Sequence, residues 1–174
     1  MRDHREPTRS AAVVVVVSAK TEAQLDSAAR NLLAFVEDEP GVGLADLAFS
    51  LQVGRAALDF RLAFTADSLA AVARGLRAHL RHDGDAELFL GRVPDQPTWD
   101  EEDEERKEPV RALLAAGDHR GIAQAWAEGR VVDWPRLYAP HKPFRVPLPT
   151  YPFAKERYWV EARQGAEAGA DVPA

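Results

Sequence analysis

The chain is 174 residues long, 46% hydrophobic and 29% charged, which leaves room for one domain with a modest core. Its formal charge of −6 argues against a nucleic-acid partner, and its longest apolar run, Ala11 to Val17, is strand-sized and far short of a membrane span. With no cysteine it has no disulfide, no thiolate metal site and no cysteine nucleophile.

Residues 1–10 are polar and expected to be disordered, and no hydrophobic signal region follows them, so a cytoplasmic location is expected. AAVVVVVS is a β-branched run without alternation, the mark of a strand covered on both faces. Thr21 and Gln24 form a capping-box pair, with Gln24 reaching back. Behind them Leu25, Ala28, Ala29, Leu32 and Val36 make a helical stripe that Pro40-Gly41 ends. Leu44, Leu47, Ala48 and Leu51 repeat the pattern in a shorter helix stopped at Gly54.

Asp59 to Thr65 alternates, with Phe60, Leu62 and Phe64 on one face and Arg61, Ala63 and Thr65 on the other, which predicts a half-buried strand. Asp67 or Ser68 caps a third helix whose stripe is Leu69, Val72, Ala73, Leu76 and Leu80. Ala86 to Val93 is a third strand, with Leu88 and Leu90 sharing a face. Pro94 to Glu108 is proline-bounded and acidic and is expected as an exposed loop. Pro109 suits the first turn of a helix over Val110 to Ala116, and another helix runs Ile122 to Glu128.

The predicted fold is α+β, a two-layer arrangement of a small three-stranded sheet packed with about three helices, plus two short helices and an extended C-terminal strap. The expected divisions are a disordered 1–10, an α/β domain over 11–93, an acidic loop and helical insert over 94–128, a strap over 129–160 and a disordered tail over 161–174.

The strap carries the strongest signal. Around LPTYPFAKERYWV, Pro147 just before it and Pro149 and Pro152 within it hold the chain extended and remove backbone donors, while Tyr151, Phe153, Tyr158 and Trp159 load it with apolar surface. Burying such a side chain is worth about 1.5–3 kcal/mol, so the ribbon needs a surface to lie on. This segment, with the preceding Gly129-Arg130-Val131-Val132-Asp133-Trp134, resembles the post-acyltransferase linker of modular polyketide synthases. VVVVVSAKTEAQL and LADLAFSLQVGR resemble the ketosynthase-to-acyltransferase linker domain of the same synthases.

Between those two parts such a synthase usually carries a whole acyltransferase; here there are only residues 94–128, and no Gly-x-Ser-x-Gly elbow occurs in the chain. The arrangement resembles the docking domain of synthases that borrow a free-standing acyltransferase. The resemblance implies a non-catalytic scaffold without a cofactor, partnered by a ketosynthase and a discrete acyltransferase and by neither nucleic acid nor membrane. It further implies partner contacts at Trp134, Leu148, Pro149, Tyr151, Phe153, Arg157, Tyr158 and Trp159, the last three reaching the ketosynthase. The acidic run Asp100, Glu101, Glu102, Asp103, Glu104 and Glu105 is a candidate surface for the acyltransferase, although consecutive like charges are more often plain solvated surface.

One alternative is a purely structural linker whose only partner is its ketosynthase, and two other readings are weaker. Asp67-Ser68-Leu69 resembles the serine of acyl carrier proteins that bears phosphopantetheine, which would make Ser68 a loading site. Thr65 stands where carrier proteins usually have glycine, however, and Asp and Ser are what a helix N-terminus selects. His79 and His82 are spaced to share a helix face, but with no third ligand nearby the expectation is a solvated helix end rather than a metal site.

Overall fold

The computed structural model describes residues 11–93 and 104–152, without the side chains of residues 104–106. In chain order the elements are β1 (Val13–Ala19), α1 (Glu22–Asp38), α2 (Leu44–Val53), β2 (Phe60–Ala66), α3 (Leu69–Leu80), β3 (Phe89–Arg92), α4 (Glu104–Ala116), α5 (His119–Ala127) and α6 (Trp134–Leu137). The strands form one antiparallel sheet in the order β1-β2-β3, with Val17 opposite Leu62 and Leu62 opposite Leu90. The fold is α+β, as the sequence predicts.

One face of the sheet takes α1 and α3. The stripe Leu25, Ala28, Ala29, Leu32 and Val36 is buried, as are Val72, Ala73 and Leu76 of α3. Phe64 points into this layer and its ring fills the space beside Gly75. Burial of some thirty such apolar residues supplies the main folding drive.

The other face is also covered, which corrects the half-buried reading of β2. α5 lies across the strands, and Arg61, expected on the open face, is only 3% exposed. The reason is electrostatic as well as steric. Arg61 reaches the C-terminal end of α5, where its Nη1 donates to Trp126 O at 2.8 Å and its guanidinium stacks 5.0 Å from the Trp126 ring centre. A cation at the negative end of a helix is favourable, and so is a guanidinium over the face of an indole. Gly91 of β3 permits this approach: a Cβ there would stand 1.8 Å from Ala127 O.

Side chains also guard the edge of the sheet at β1. Gln52 of α2 donates from Nε2 to Val14 O at 2.7 Å, occupying a carbonyl that another chain could otherwise pair with. Ser18 Oγ accepts from Leu58 N at 3.0 Å and so fixes the connection from α2 to β2.

Local differences from the sequence reading have identifiable causes. α4 begins at Glu104, so Glu104 and Glu105 are helical rather than looped, and Pro109 sits inside the helix. The run EERKE has good helix propensity, enough to start the helix early at the cost of one backbone bond. β3 is shorter than expected, and Leu90 is 62% exposed although Leu88 packs on the core. Leu90 shares the face of Leu62, and the α1–α3 layer ends before covering it. His79 and His82 do not share a solvated face. His79 is buried, with Nε2 2.9 Å from Asp26 Oδ1 of α1, while His82 lies past the helix end at φ 54°.

Candidate functional site: a docked strap beside a cationic cleft

After α6 the chain lies extended along α2. Phe144 N donates to Asp46 Oδ1 at 2.8 Å and Val146 N donates to Ser50 Oγ at 2.9 Å. This match is geometric: four helical residues and two extended residues each advance about 6 Å, so alternate strap amides meet successive turns of α2. Pro147 and Pro149 have no amide to satisfy. Farther along, Arg55 Nη2 donates to Pro149 O, and Leu148 packs against the core.

Tyr151 anchors the far end. Its hydroxyl accepts from Lys20 N at 2.9 Å and donates to Gln24 Oε1 at 3.1 Å, tying the strap to the junction of β1 and α1. Only half of the expected capping box is therefore formed. Thr21 Oγ1 accepts from Gln24 N at 3.2 Å, but the Gln24 carboxamide oxygen serves the strap instead. At the near end Tyr138 packs edge-on against Phe49, with ring centres 5.2 Å apart, and donates to Gln52 Oε1 at 2.7 Å. Burial pushes the Tyr138 hydroxyl up to about 12.

Beside the strap opens a cleft of about 540 Å³ between the α2–β2 connection and the segment that follows α5. Gly129, at φ 99°, sharply ends α5: Arg130 N returns to Ala125 O at 2.9 Å, and the chain is redirected along the cleft wall. Arg55, Arg61, Arg130, Trp126, Trp134 and Tyr151 are among the lining residues. Desolvation lowers the pKa of both Arg55 and Arg61, and Asp59 partly opposes this at Arg61.

Among the residues expected to meet partners, Trp134 is 7% exposed and packs inside the chain at the cleft wall, whereas Leu148, Pro149 and Tyr151 are half-buried on the strap's own seat. Phe153, Arg157, Tyr158 and Trp159 lie outside the described residues, as do Asp100, Glu101, Glu102 and Asp103 and the side chains of Glu104 and Glu105. Ser68 is the N-cap of α3, its Oγ accepting from Ala71 N at 3.1 Å and donating to Asp67 Oδ1 at 3.2 Å. Among the described residues no group of three or more His, Cys, Asp or Glu is placed to hold a metal ion, and no helix is long and apolar enough to cross a membrane.

Sequence reasoning missed the cationic cleft, because its arginines come from an α2 end, a strand and a loop that only the fold brings together. It also passed over Phe144, 80% exposed, for which the only signal was an isolated aromatic next to proline.

Residues 16–83 match the family described as RhiE-like, KS-MAT linker domain. Polyketide synthase PksL of Bacillus subtilis is 32% identical over 94% of this chain and 4% of its own length, and PksN of the same organism is 36% identical over 84% of this chain and 3% of its own. A solved ketosynthase from module 6 of the bacillaene synthase of Bacillus subtilis superposes with a TM-score of 0.77 and 33% identity, over 85% of this chain and 27% of that one. The chain thus spans a small part of the proteins it resembles. Over residues 16–83 it belongs to the RhiE-like KS-MAT linker domain family, and it is a linker region of polyketide synthases.

Proposed function

We propose that this chain is a non-catalytic scaffold of a polyketide synthase, flanking a ketosynthase and offering a surface to a discrete acyltransferase. The observation that carries this reading is the short path between the linker core and the strap. From β3 the chain reaches Gly129 through residues 94–128, whose described part is α4 and α5, and then lays the strap back on α2. An acyltransferase domain does not fit in that span, which supports an acyl donor brought by a separate protein. The likeness to a solved ketosynthase chain over 27% of its length supports a ketosynthase as the neighbour. The N-cap role of Ser68 favours the scaffold over a carrier loaded at that serine.

The test is surface-immobilised binding of the full chain to a ketosynthase and to a discrete acyltransferase from one gene cluster. Both are expected to bind. Replacing Tyr158 and Trp159 together by Ala is expected to weaken the ketosynthase by about 2 kcal/mol or more, as central aromatic anchors do, while leaving the chain's own stability unchanged. Unchanged ketosynthase binding by a destabilised double variant would sink the assignment of these residues to a partner. Failure of the acyltransferase to bind would reduce the chain to a structural linker, and a stable mass adduct from malonyl coenzyme A would overturn the non-catalytic reading.

A further inference from the structure

We propose that the cleft between the α2–β2 connection and the segment after α5 is a binding site for a carboxylate carried on an apolar body. Three observations lead there. The first is charge: Arg55, Arg61 and Arg130 all line the cleft, and among the described residues no Asp or Glu does, in a chain whose formal charge is −6. The acid that bears on Arg61 is Asp59, which forms its own ion pair with Lys20 at 3.6 Å.

The second is unused hydrogen-bonding capacity. Arg61 is 3% exposed, and only its Nε and Nη1 are used, on Leu58 O at 3.1 Å and Trp126 O at 2.8 Å. Its Nη2 has no partner among the described residues. Among the described residues no buried side-chain nitrogen or oxygen lacks a partner, so that Nη2 keeps access to solvent, and the cleft that Arg61 lines is where such access lies. Arg130 at the rim likewise has no side-chain hydrogen bond or ion pair among the described residues. A guanidinium held in a largely apolar wall with donors to spare is poised for a charge-assisted bond to a planar oxyanion.

The third is shape and chemistry. About 540 Å³ is in the range of small-molecule sites and far exceeds one water or inorganic ion. The walls contributed by Val16, Val17, Leu51, Trp126, Trp134 and Tyr151 provide the apolar and aromatic contact that a bare anion cannot use. Arginine at the inner end and indoles along the wall therefore select an acid with a hydrocarbon or aryl body over phosphate. This site does not depend on the scaffold reading above and tests separately from it.

The experiment titrates the full chain with 4-phenylbutyrate, its neutral amide and inorganic phosphate, following the indole N–H resonances of Trp126 and Trp134 and the Arg61 Nε–H by two-dimensional NMR. Saturable shifts at these three groups are expected for the acid. The amide and inorganic phosphate are each expected to bind at least about tenfold more weakly, one lacking the charge-assisted bond and the other the apolar body. Arg130→Ala, an exposed rim position whose spectrum also reports folding, is expected to weaken the acid by about tenfold, and Arg130→Lys by less. The site is refuted if the acid gives no saturable shift up to its solubility limit, or if Arg130→Ala leaves its affinity unchanged. Equal binding of the amide would overturn the carboxylate, and equal binding of phosphate would overturn the apolar body.

Discussion

Gln52 uses both ends of one carboxamide, donating to Val14 O at the sheet edge and accepting from Tyr138, so the edge of β1 and the approach to the strap share a residue. At 5% exposure neither end has water to fall back on. Tyr138→Phe leaves Gln52 Oε1 without its donor and is expected to cost about 1 kcal/mol. The same hydroxyl makes stability depend on alkaline pH. Its pKa rises from 10.0 to about 12 on folding, so its contribution is complete below pH 10.0 and is lost as pH climbs through about 12. The unfolded chain releases the Tyr138 proton first, and that drives the loss. Urea unfolding on either side of pH 10.0 should therefore show a shallower alkaline decline for Tyr138→Phe than for the native chain. Identical declines would mean that the burial of this hydroxyl does not persist in solution. Arg61 illustrates the opposite use of a polar group. Its cost of burial is offset by the helix-end carbonyl of Trp126, the carbonyl of Leu58 and an indole rather than by an ion pair, which is why alternation alone placed it in solvent.

The strap is held at the scale of one element against another, through a shared repeat more than through any single contact. Asp46 and Ser50 are one helical turn apart and meet amides two residues apart, so losing both acceptors should detach the stretch between Tyr138 and Pro149 while Tyr151 still holds the far end. Asp46→Ala with Ser50→Ala is expected to raise amide exchange at Phe144 and Val146 by about tenfold or more, since each amide exchanges a protein acceptor for water, with little change at the Lys20 amide. Unaltered exchange at Phe144 and Val146 would show that packing of Leu148 alone seats the strap. The stripes of α1 and α3, the span of β1 and a cap at Asp67 or Ser68, which proves to be Ser68, were legible in the sequence, because each follows from local periodicity or a short-range hydrogen bond. What was not legible depends on distant partners. The cover on the second face of β2 comes from α5, the lost half of the capping box from Tyr151, and the burial of His79 from Asp26 on another helix. The early start of α4 is different in kind: Pro109 was weighted as a helix beginning, and the helix-forming run before it prevailed.

For the whole molecule, covering both faces of the sheet removes the broad surfaces a partner would ordinarily use. What remains apolar and exposed among the described residues is dispersed, with Leu90 on β3, Val131 beyond α5 and Phe144 on the strap. Three separate apolar points suit contacts to a large neighbour better than one self-sufficient interface, whose buried core is normally contiguous. Charge is the other resource, and it is unevenly spread: the cleft gathers three arginines, while Asp100 to Glu105 gathers six acids in a row along the chain. A run of that kind acts over roughly a Debye length, about 8 Å at physiological salt, and so governs encounter more than final affinity. If the run steers a discrete acyltransferase with a basic face, changing Asp100, Glu102 and Glu104 to Lys should slow association severalfold at low salt and flatten its dependence on ionic strength, with dissociation little changed. Stopped-flow association across a salt series measures both. Equal rates for the two chains at low salt would leave the acids as solubilising surface and would direct the search for the acyltransferase contact toward Leu90 and Phe144.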